Sequence, residues 1–211
     1  MSWRWLGRVE YEPTWRAMQT FTDTRSADTA DDIWLLEHPP VFTLGTAADR
    51  SHVLDAGDIP LVQIDRGGQV TYHGPGQLVI YPLVDIRRMG LTVRGLVMAL
   101  EQLVIDYVAG FGIVAAGRRD APGVYVDGCK LASVGLRVRR GACYHGLALN
   151  VAMDLTPFSR INPCGMAGLQ VTQLSALGGS ADVAAVAQQL GPKVMPALQQ
   201  AAAVKSKDNV C

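Results

Sequence analysis

The apolar positions of this chain fall into short bursts divided by polar punctuation, and the spacing inside each burst predicts its element. Trp15, Met18, Phe21 and Thr22 share one side of a helix over 13–25. Ile33 to Glu37 and Val41 to Leu44 read as strands joined through Pro39-Pro40, with Ile59 to Asp65 and Leu78 to Val84 as two more. Thr92 can cap a helix from Val93 to about Ala109, with Leu96, Leu100, Leu103 and Tyr107 at helical spacing and Gly110 and Gly112 to stop it. Ile113 to Ala115 and Val124 to Val126 again have strand character. Asp127-Gly128 is a hairpin turn that returns the chain through Lys130 to Val138, and Arg140-Gly141 leads into a strand over Cys143 to Val151. From Asp154 to Gln170 no period is visible, and Pro157, Pro163, Gly165 and Gly168 mark a shaped loop. From Ala181 the Ala- and Gln-rich end reads as two short helices broken at Pro192. With no repeat and no linker, the pattern predicts one α+β domain, a mixed and mostly antiparallel sheet with helices packed on it.

Composition narrows the setting. Of 211 residues 49% are apolar, enough for a sizeable core, and 19 Lys plus Arg balance 19 Asp plus Glu. No global field therefore favours nucleic acid or an anionic membrane, and a partner read by charge must meet a local patch. Arg137, Arg139 and Arg140 form one such cluster, and Arg118 with Arg119 another. Met1 to Arg8 has no apolar core of a secretory signal, and the apolar stretch Leu96 to Phe111 carries Glu101 and Asp106 and is too short to span a bilayer. A cytoplasmic protein without membrane or nucleic-acid partners is expected. Cys129, Cys143, Cys164 and Cys211 lie far apart with no C-x-x-C pair, which reads as free thiols in a reducing compartment. A zinc site from Cys129, Cys143, His145 and Cys164 is conceivable, but the spacings lack zinc-site character, and no metal is expected.

The candidate chemistry begins with Arg66-Gly67-Gly68-Gln69-Val70-Thr71-Tyr72-His73-Gly74-Pro75-Gly76-Gln77, held between two apolar strands. As a plain connection, turn chemistry would account for the glycines but not for Arg66, Gln69, Tyr72, His73 and Gln77. The stretch reads as a binding loop for a polar or anionic ligand, and it matches neither the dinucleotide fingerprint nor the P-loop spacing. Cys164, between Pro163 and Gly165 in the non-periodic loop, is either a nucleophile with free amides beside it or an incidental thiol. Activation would need a cation, for which His73, His145 and Lys130 are the candidates. Lys130 is unusual in an otherwise apolar strand, on the same side as Ala132, Val134 and Leu136 unless a bulge intervenes. A desolvated lysine there can exchange protons near neutrality. Gly146 and Ala148 either leave room for an acyl chain beside the sheet or serve close packing.

Taken in order, Arg66 to Gln77, Gly123-Val124-Tyr125-Val126, Lys130-Leu131-Ala132-Ser133-Val134-Gly135, His145-Gly146-Leu147-Ala148-Leu149-Asn150-Val151 and Asn162-Pro163-Cys164-Gly165 resemble the lipoyl (octanoyl) transferase family. The likeness runs from the first helix to about Leu174 and leaves a variable tail from about 175. It implies one catalytic domain over 1–211, similar to the biotin and lipoate protein ligases. It also implies Cys164 as the acyl-thioester nucleophile and Lys130 as the group that activates it. Arg66, Gly67, Gly68, Gln69, Val70, Thr71, Tyr72, His73, Ser133, Val134, Gly135, Gly146, Leu147 and Ala148 would line the substrate site. The implied partners are octanoyl-acyl carrier protein as donor and, as acceptors, the lipoyl domains of 2-oxoacid dehydrogenases and the glycine cleavage H protein, with no cofactor. Two rivals stay open at this point: an ATP-dependent lipoate or biotin ligase of similar fold, and a non-catalytic protein that binds carrier domains.

Overall fold

The longest apolar strand is buried on both faces, and that decides the architecture. In a computed structural model describing residues 2–208, strand β6 (Gln77–Asp85) sends Leu78, Ile80 and Val84 into one core and Val79, Tyr81 and Leu83 into another. A strand buried on both faces needs a layer on each side. Helices α2 (Val93–Ala109) and α3 (Val183–Asp208) supply one, through residues such as Leu96, Leu100, Val186 and Leu190; α1 (Tyr11–Asp23) covers the other through Met18.

The sheet between them has seven strands in the order β1 (Ser2–Arg8), β2 (Asp32–Glu37), β6, β10 (Ala142–Asn150), β9 (Cys129–Arg139), β8 (Gly123–Val126) and β7 (Ala116–Gly117). All neighbours are antiparallel except β1 with β2. A second sheet of three strands, β4 (Leu61–Gln63), β3 (Val41–Leu44) and β5 (Val70–His73), carries the middle of the glycine-rich stretch, which is a strand there rather than a loop. The architecture is thus the expected α+β class with a mixed, mostly antiparallel sheet. Both hairpin turns form where expected, with positive φ at Asp127 and Gly128 and again at Arg140 and Gly141. Thr92 caps α2 by accepting from the Gly95 amide.

Several element expectations are corrected. The first helix spans 11–23 rather than 13–25, because Arg25 is drawn away to Asp31 and to the Leu83 carbonyl. The strand expected over 59–65 shrinks to Leu61–Gln63, since Asp65 leaves the edge to meet Trp15, Tyr144 and His145. The segment 113–115 is not a strand: the Ile113 amide bonds back to Val108, and pairing starts at Ala116. Strand β1 gave no expectation; it pairs beside β2 with Trp3 and Trp5 partly buried. Finally, the tail is one helix, α3, running through Pro192 and Pro196 rather than two broken at Pro192. An interior proline costs about 3 kcal/mol of helix. Val186, Leu190, Val194 and Leu198 are fully buried at four-residue spacing, and that packing outweighs the cost. Cys211 lies outside the described residues. No helix among the described residues is long and apolar enough to cross a membrane.

Candidate active site

Lys130 and Cys164 meet. The lysine Nζ donates to Cys164 Sγ at 2.8 Å and to the Pro122 carbonyl at 3.0 Å, and lies 5.1 Å from the Tyr125 ring centre. The side chain is 2% exposed. Its placement follows from a break in register: Val124 pairs with Ala132 but Tyr125 with Lys130, so Leu131 is an extra residue in β9. The bulge puts Leu131 and Ala132 into the same helix-side core and frees Lys130 from their side of the sheet. Gly123 makes room. Its φ is 147°, and a Cβ there would fall 2.7 Å from Lys130 Cε.

The thiol arrives on a tight turn, Pro163–Gly165, with Cys164 itself in the left-handed region at φ 58°. A non-glycine residue there stores of order 1–3 kcal/mol of strain and needs surroundings that hold it. Those are the bonds from Asn162 N to the His52 carbonyl, from Gly165 N to the Asn162 carbonyl and from Met166 N to the Pro163 carbonyl. The chain then folds back on the lysine: Lys130 N donates to Gln170 O, and Thr172 N to Lys130 O. The loop that carries the sulfur is therefore clamped by backbone bonds to the residue that carries the amine.

Both atoms open on a cavity of about 440 Å³. Arg66, Gly67, Gly68, Gln69, Val70, Thr71, His73, Ser133, Val134, Gly135, Gly146, Leu147 and Ala148 all line it. Tyr72 does not: alternation in β5 turns its ring away, to within 5.5 Å of Phe42 and Phe158. Gly146 owes its size to sheet packing, since a Cβ would lie 2.0 Å from the Ile80 carbonyl, whereas Ala148 forms cavity wall. The conceivable zinc set does not assemble; Cys143 is buried in the helix-side core, and among the described residues no group of three or more His, Cys, Asp or Glu could hold a metal.

Most polar groups of the glycine-rich stretch are tied up by the protein itself, although Arg66 Nε is buried without a partner among the described residues. Arg66 Nη2 donates to the Thr43 carbonyl at 2.8 Å and the Thr43 hydroxyl at 2.9 Å, and Nη1 to the Gly67 carbonyl at 3.0 Å. Gln69 Oε1 accepts from the Asp49 amide. Gly67 N donates to the Leu136 carbonyl and bolts the small sheet to the large one. Gln77 gives its amide protons to the Tyr72 carbonyl and Asn150 Oδ1, so its oxygen accepts from His73 Nδ1 at 2.7 Å. That bond fixes the tautomer of His73. Burial, with repulsion from the neighbouring His38 and Arg66, pushes its pKa down to about 3, so it is neutral and no activating cation.

His145, the other histidine candidate, is equally committed. Strand alternation would place it with Cys143 and Leu147, but φ 60° turns it to the side of Tyr144, and both residues donate to Asp65. Pro82 stands opposite in β6 and can offer no amide there. Burial works against ionisation of Asp65. Hydrogen bonds from His145, Tyr144 and Trp15 outweigh it and hold the carboxyl well below its usual range. Deeper still, His38 Nδ1 donates to the Val9 carbonyl at 2.7 Å, so Nε2 accepts from Tyr81 at 2.9 Å. Burial lowers the His38 pKa to about 4.

Sequence reasoning did not single out Tyr11 or Tyr81, which line the cavity, nor the place of Tyr125 beside Lys130, nor Glu101, whose carboxylate accepts from Gly123 N at 2.7 Å behind Lys130. Glu101 carried one signal, an acid among apolar helix positions. Burial raises its pKa, against the pull of the Gly123 amide and the Lys130 charge.

This fold and cavity define a class of protein, the lipoate and biotin protein ligase catalytic folds. A bi-partite lipoate protein ligase from Thermoplasma acidophilum superposes with TM-score 0.64 at 15% identity, over 95% of this chain and 82% of that one. The biotin protein ligase from Aquifex aeolicus, solved with biotin and ATP, gives 0.57 at 14% identity, over 95% and 71%. At the level of sequence, residues 10–194 match the lipoyl protein ligase A/B catalytic domain. The octanoyltransferase of Chromobacterium violaceum is 62% identical over 187 residues, covering 89% of this chain and 90% of its own. That of Methylococcus capsulatus is 63% identical over 180 residues, covering 85% and 87%. The chain belongs to the octanoyltransferase family of protein lipoylation enzymes, and is an acyltransferase.

Proposed function

We propose that the whole chain acts as one catalytic unit that moves an octanoyl group from octanoyl-acyl carrier protein to the target lysine of lipoyl domains, through a thioester on Cys164. The acceptors are lipoyl domains of 2-oxoacid dehydrogenases and the glycine cleavage H protein, and the setting is the cytoplasm. The single observation that carries the reading is the 2.8 Å contact between Lys130 Nζ and Cys164 Sγ at the wall of an apolar cavity.

The chemistry balances on these two groups. Proton transfer within the pair gives a thiolate beside an ammonium. The thiolate attacks the donor carbonyl, the carbon–sulfur bond to the carrier breaks, and Lys130 delivers its proton to the departing carrier thiol. The incoming lysine amine of the acceptor then attacks the Cys164 thioester. A carbon–nitrogen bond forms, Lys130 takes the surplus proton, and Cys164 leaves as thiolate, which restores the starting pair. Because one thioester is exchanged for another before a stable amide forms, no nucleotide is consumed.

The test is intact-mass measurement after mixing with octanoyl-acyl carrier protein and no ATP. An octanoyl adduct on Cys164, discharged by added lipoyl domain, is the expected result. Acylation that demands ATP and survives Cys164→Ala would put the chain among the ligases instead. Binding of the carrier with no adduct would leave only a docking protein.

A further inference from the structure

The wall of the cavity that holds the thiol includes the start of α2, at Val93 and Val97, and a lip formed by Asp120, Ala121 and Pro122, with Val93 and Asp120 exposed. A second groove begins at that lip and shares Val93, Val97 and Pro122 with the cavity. Its floor is apolar and open to solvent, with Met98 55% and Val93 46% exposed. Its rim is basic. Arg118 stands 5.0 Å from the centre of the Tyr125 ring that Lys130 also contacts, and pairs with Asp120. Glu101 is turned inward onto Gly123, and among the described residues no ion pair engages Arg94 or Arg119. The groove thus offers exposed apolar surface and two uncompensated cations against the exposed wall it shares with the cavity that holds the sulfur.

The other basic cluster lacks this placement. Arg139 is held by Asp23 at 3.0 Å, and neither Arg137, Arg139 nor Arg140 lines the cavity or the groove.

We propose that the groove of Arg94, Val97, Met98, Arg118 and Arg119 is the docking surface for the acyl donor, an acidic protein that feeds a thioester-bearing arm past Val93 and Pro122 to Cys164. Charge complementarity selects the partner: the chain has no net charge, so an acidic protein gains attraction only at a local patch such as this one. The inference rests on the reading that the acyl group arrives on a carrier protein.

The experiment compares two donors. Arg94→Glu/Arg119→Glu, and separately Met98→Asp, are assayed with octanoyl-acyl carrier protein and with the octanoyl thioester of N-acetylcysteamine, which is small and uncharged. The double variant is expected to raise KM for the carrier-borne donor about tenfold or more, with its dependence on ionic strength reduced. Turnover of the small thioester and KM for the acceptor lipoyl domain stay unchanged. Equal loss with both donors means a structural defect, and an unchanged KM for the carrier means the donor sits elsewhere; either overturns the proposal. A rise in KM for the acceptor alone assigns the groove to the lipoyl domain and overturns it too. If the unaltered enzyme takes acyl groups onto Cys164 from neither donor, the thioester reading falls, and the donor groove with it.

Discussion

The two ends of the cavity treat buried charge in opposite ways. At the Arg66 end, both terminal nitrogens of the guanidinium are spent on Thr43 and Gly67, and the Asp65 carboxylate is surrounded by Trp15, Tyr144 and His145. At the Lys130 end, the ammonium has one carbonyl, Pro122 O, one aromatic face and one sulfur. In the first arrangement the Arg66 bonds end on carbonyl and hydroxyl oxygens that do not take its proton, and they hold the backbone of the glycine-rich stretch. The second leaves a proton shared between two groups that can each carry it. Burial alone does not make a charge reactive; what matters is whether its hydrogen bonds end on groups that can accept the proton.

The sharpest way to break this contrast is to remove the sulfur. Cys164→Ala should lower kcat/KM by at least about 10⁴-fold and abolish the acyl adduct, while thermal unfolding stays near that of the parent. A mutant that still transfers would show that the pair is not the engine. Lys130→Met, similar in length and uncharged, should cost about 10²–10³-fold and move the pH profile of Cys164 alkylation to the alkaline side. An unmoved profile removes Lys130 from the activating role.

The opposite end should respond in stability. Asp65→Asn weakens a partly buried hub and is expected to destabilise by about 1–3 kcal/mol in urea unfolding, with the alkylation profile of Cys164 unchanged. If that profile moves as far as in Lys130→Met, the two ends are not separable.

Acid should expose the same end. His38 and His73 are held neutral by burial, with pKa values of about 4 and about 3. In the unfolded chain each titrates near about 6.5. The unfolded state therefore binds more protons between these values, and stability falls as pH drops from about 6.5 towards 4. Urea midpoints measured across that window should decline, and His38→Gln should make the decline shallower; a flat profile would show that neither histidine is forced neutral by the fold. The smallest effect belongs to Tyr72→Phe. Because the ring lies outside the cavity, KM for the octanoyl donor should stay within about twofold, whereas a larger rise would return Tyr72 to the binding wall.

Much of the molecule was legible locally. Helix α2 begins at Thr92 and ends at Gly110 as its cap and apolar spacing predict, and both hairpins turn at the dipeptides that tolerate positive φ. Cys164 and Lys130 could be picked out as residue types in unusual company. Arg66, Gln69 and Gln77 were legible as special but not as to why: their hydrogen bonds run largely to the protein, and only the folded chain shows which atoms they satisfy.

Periodicity and turn chemistry are records of burial and of backbone conformation within a few residues, so the chain by itself settled the strands β2, β3, β6, β8, β9 and β10 and both hairpins, and singled out Cys164 and Lys130 as candidates. Tertiary structure decided the rest. The extra residue at Leu131, the left-handed turn at His145, the unbroken passage of α3 through two prolines and the meeting of Lys130 with Cys164 each depend on partners distant in sequence. The backbone bonds from Lys130 to 170–172 leave no trace in local composition, because any residue can make them.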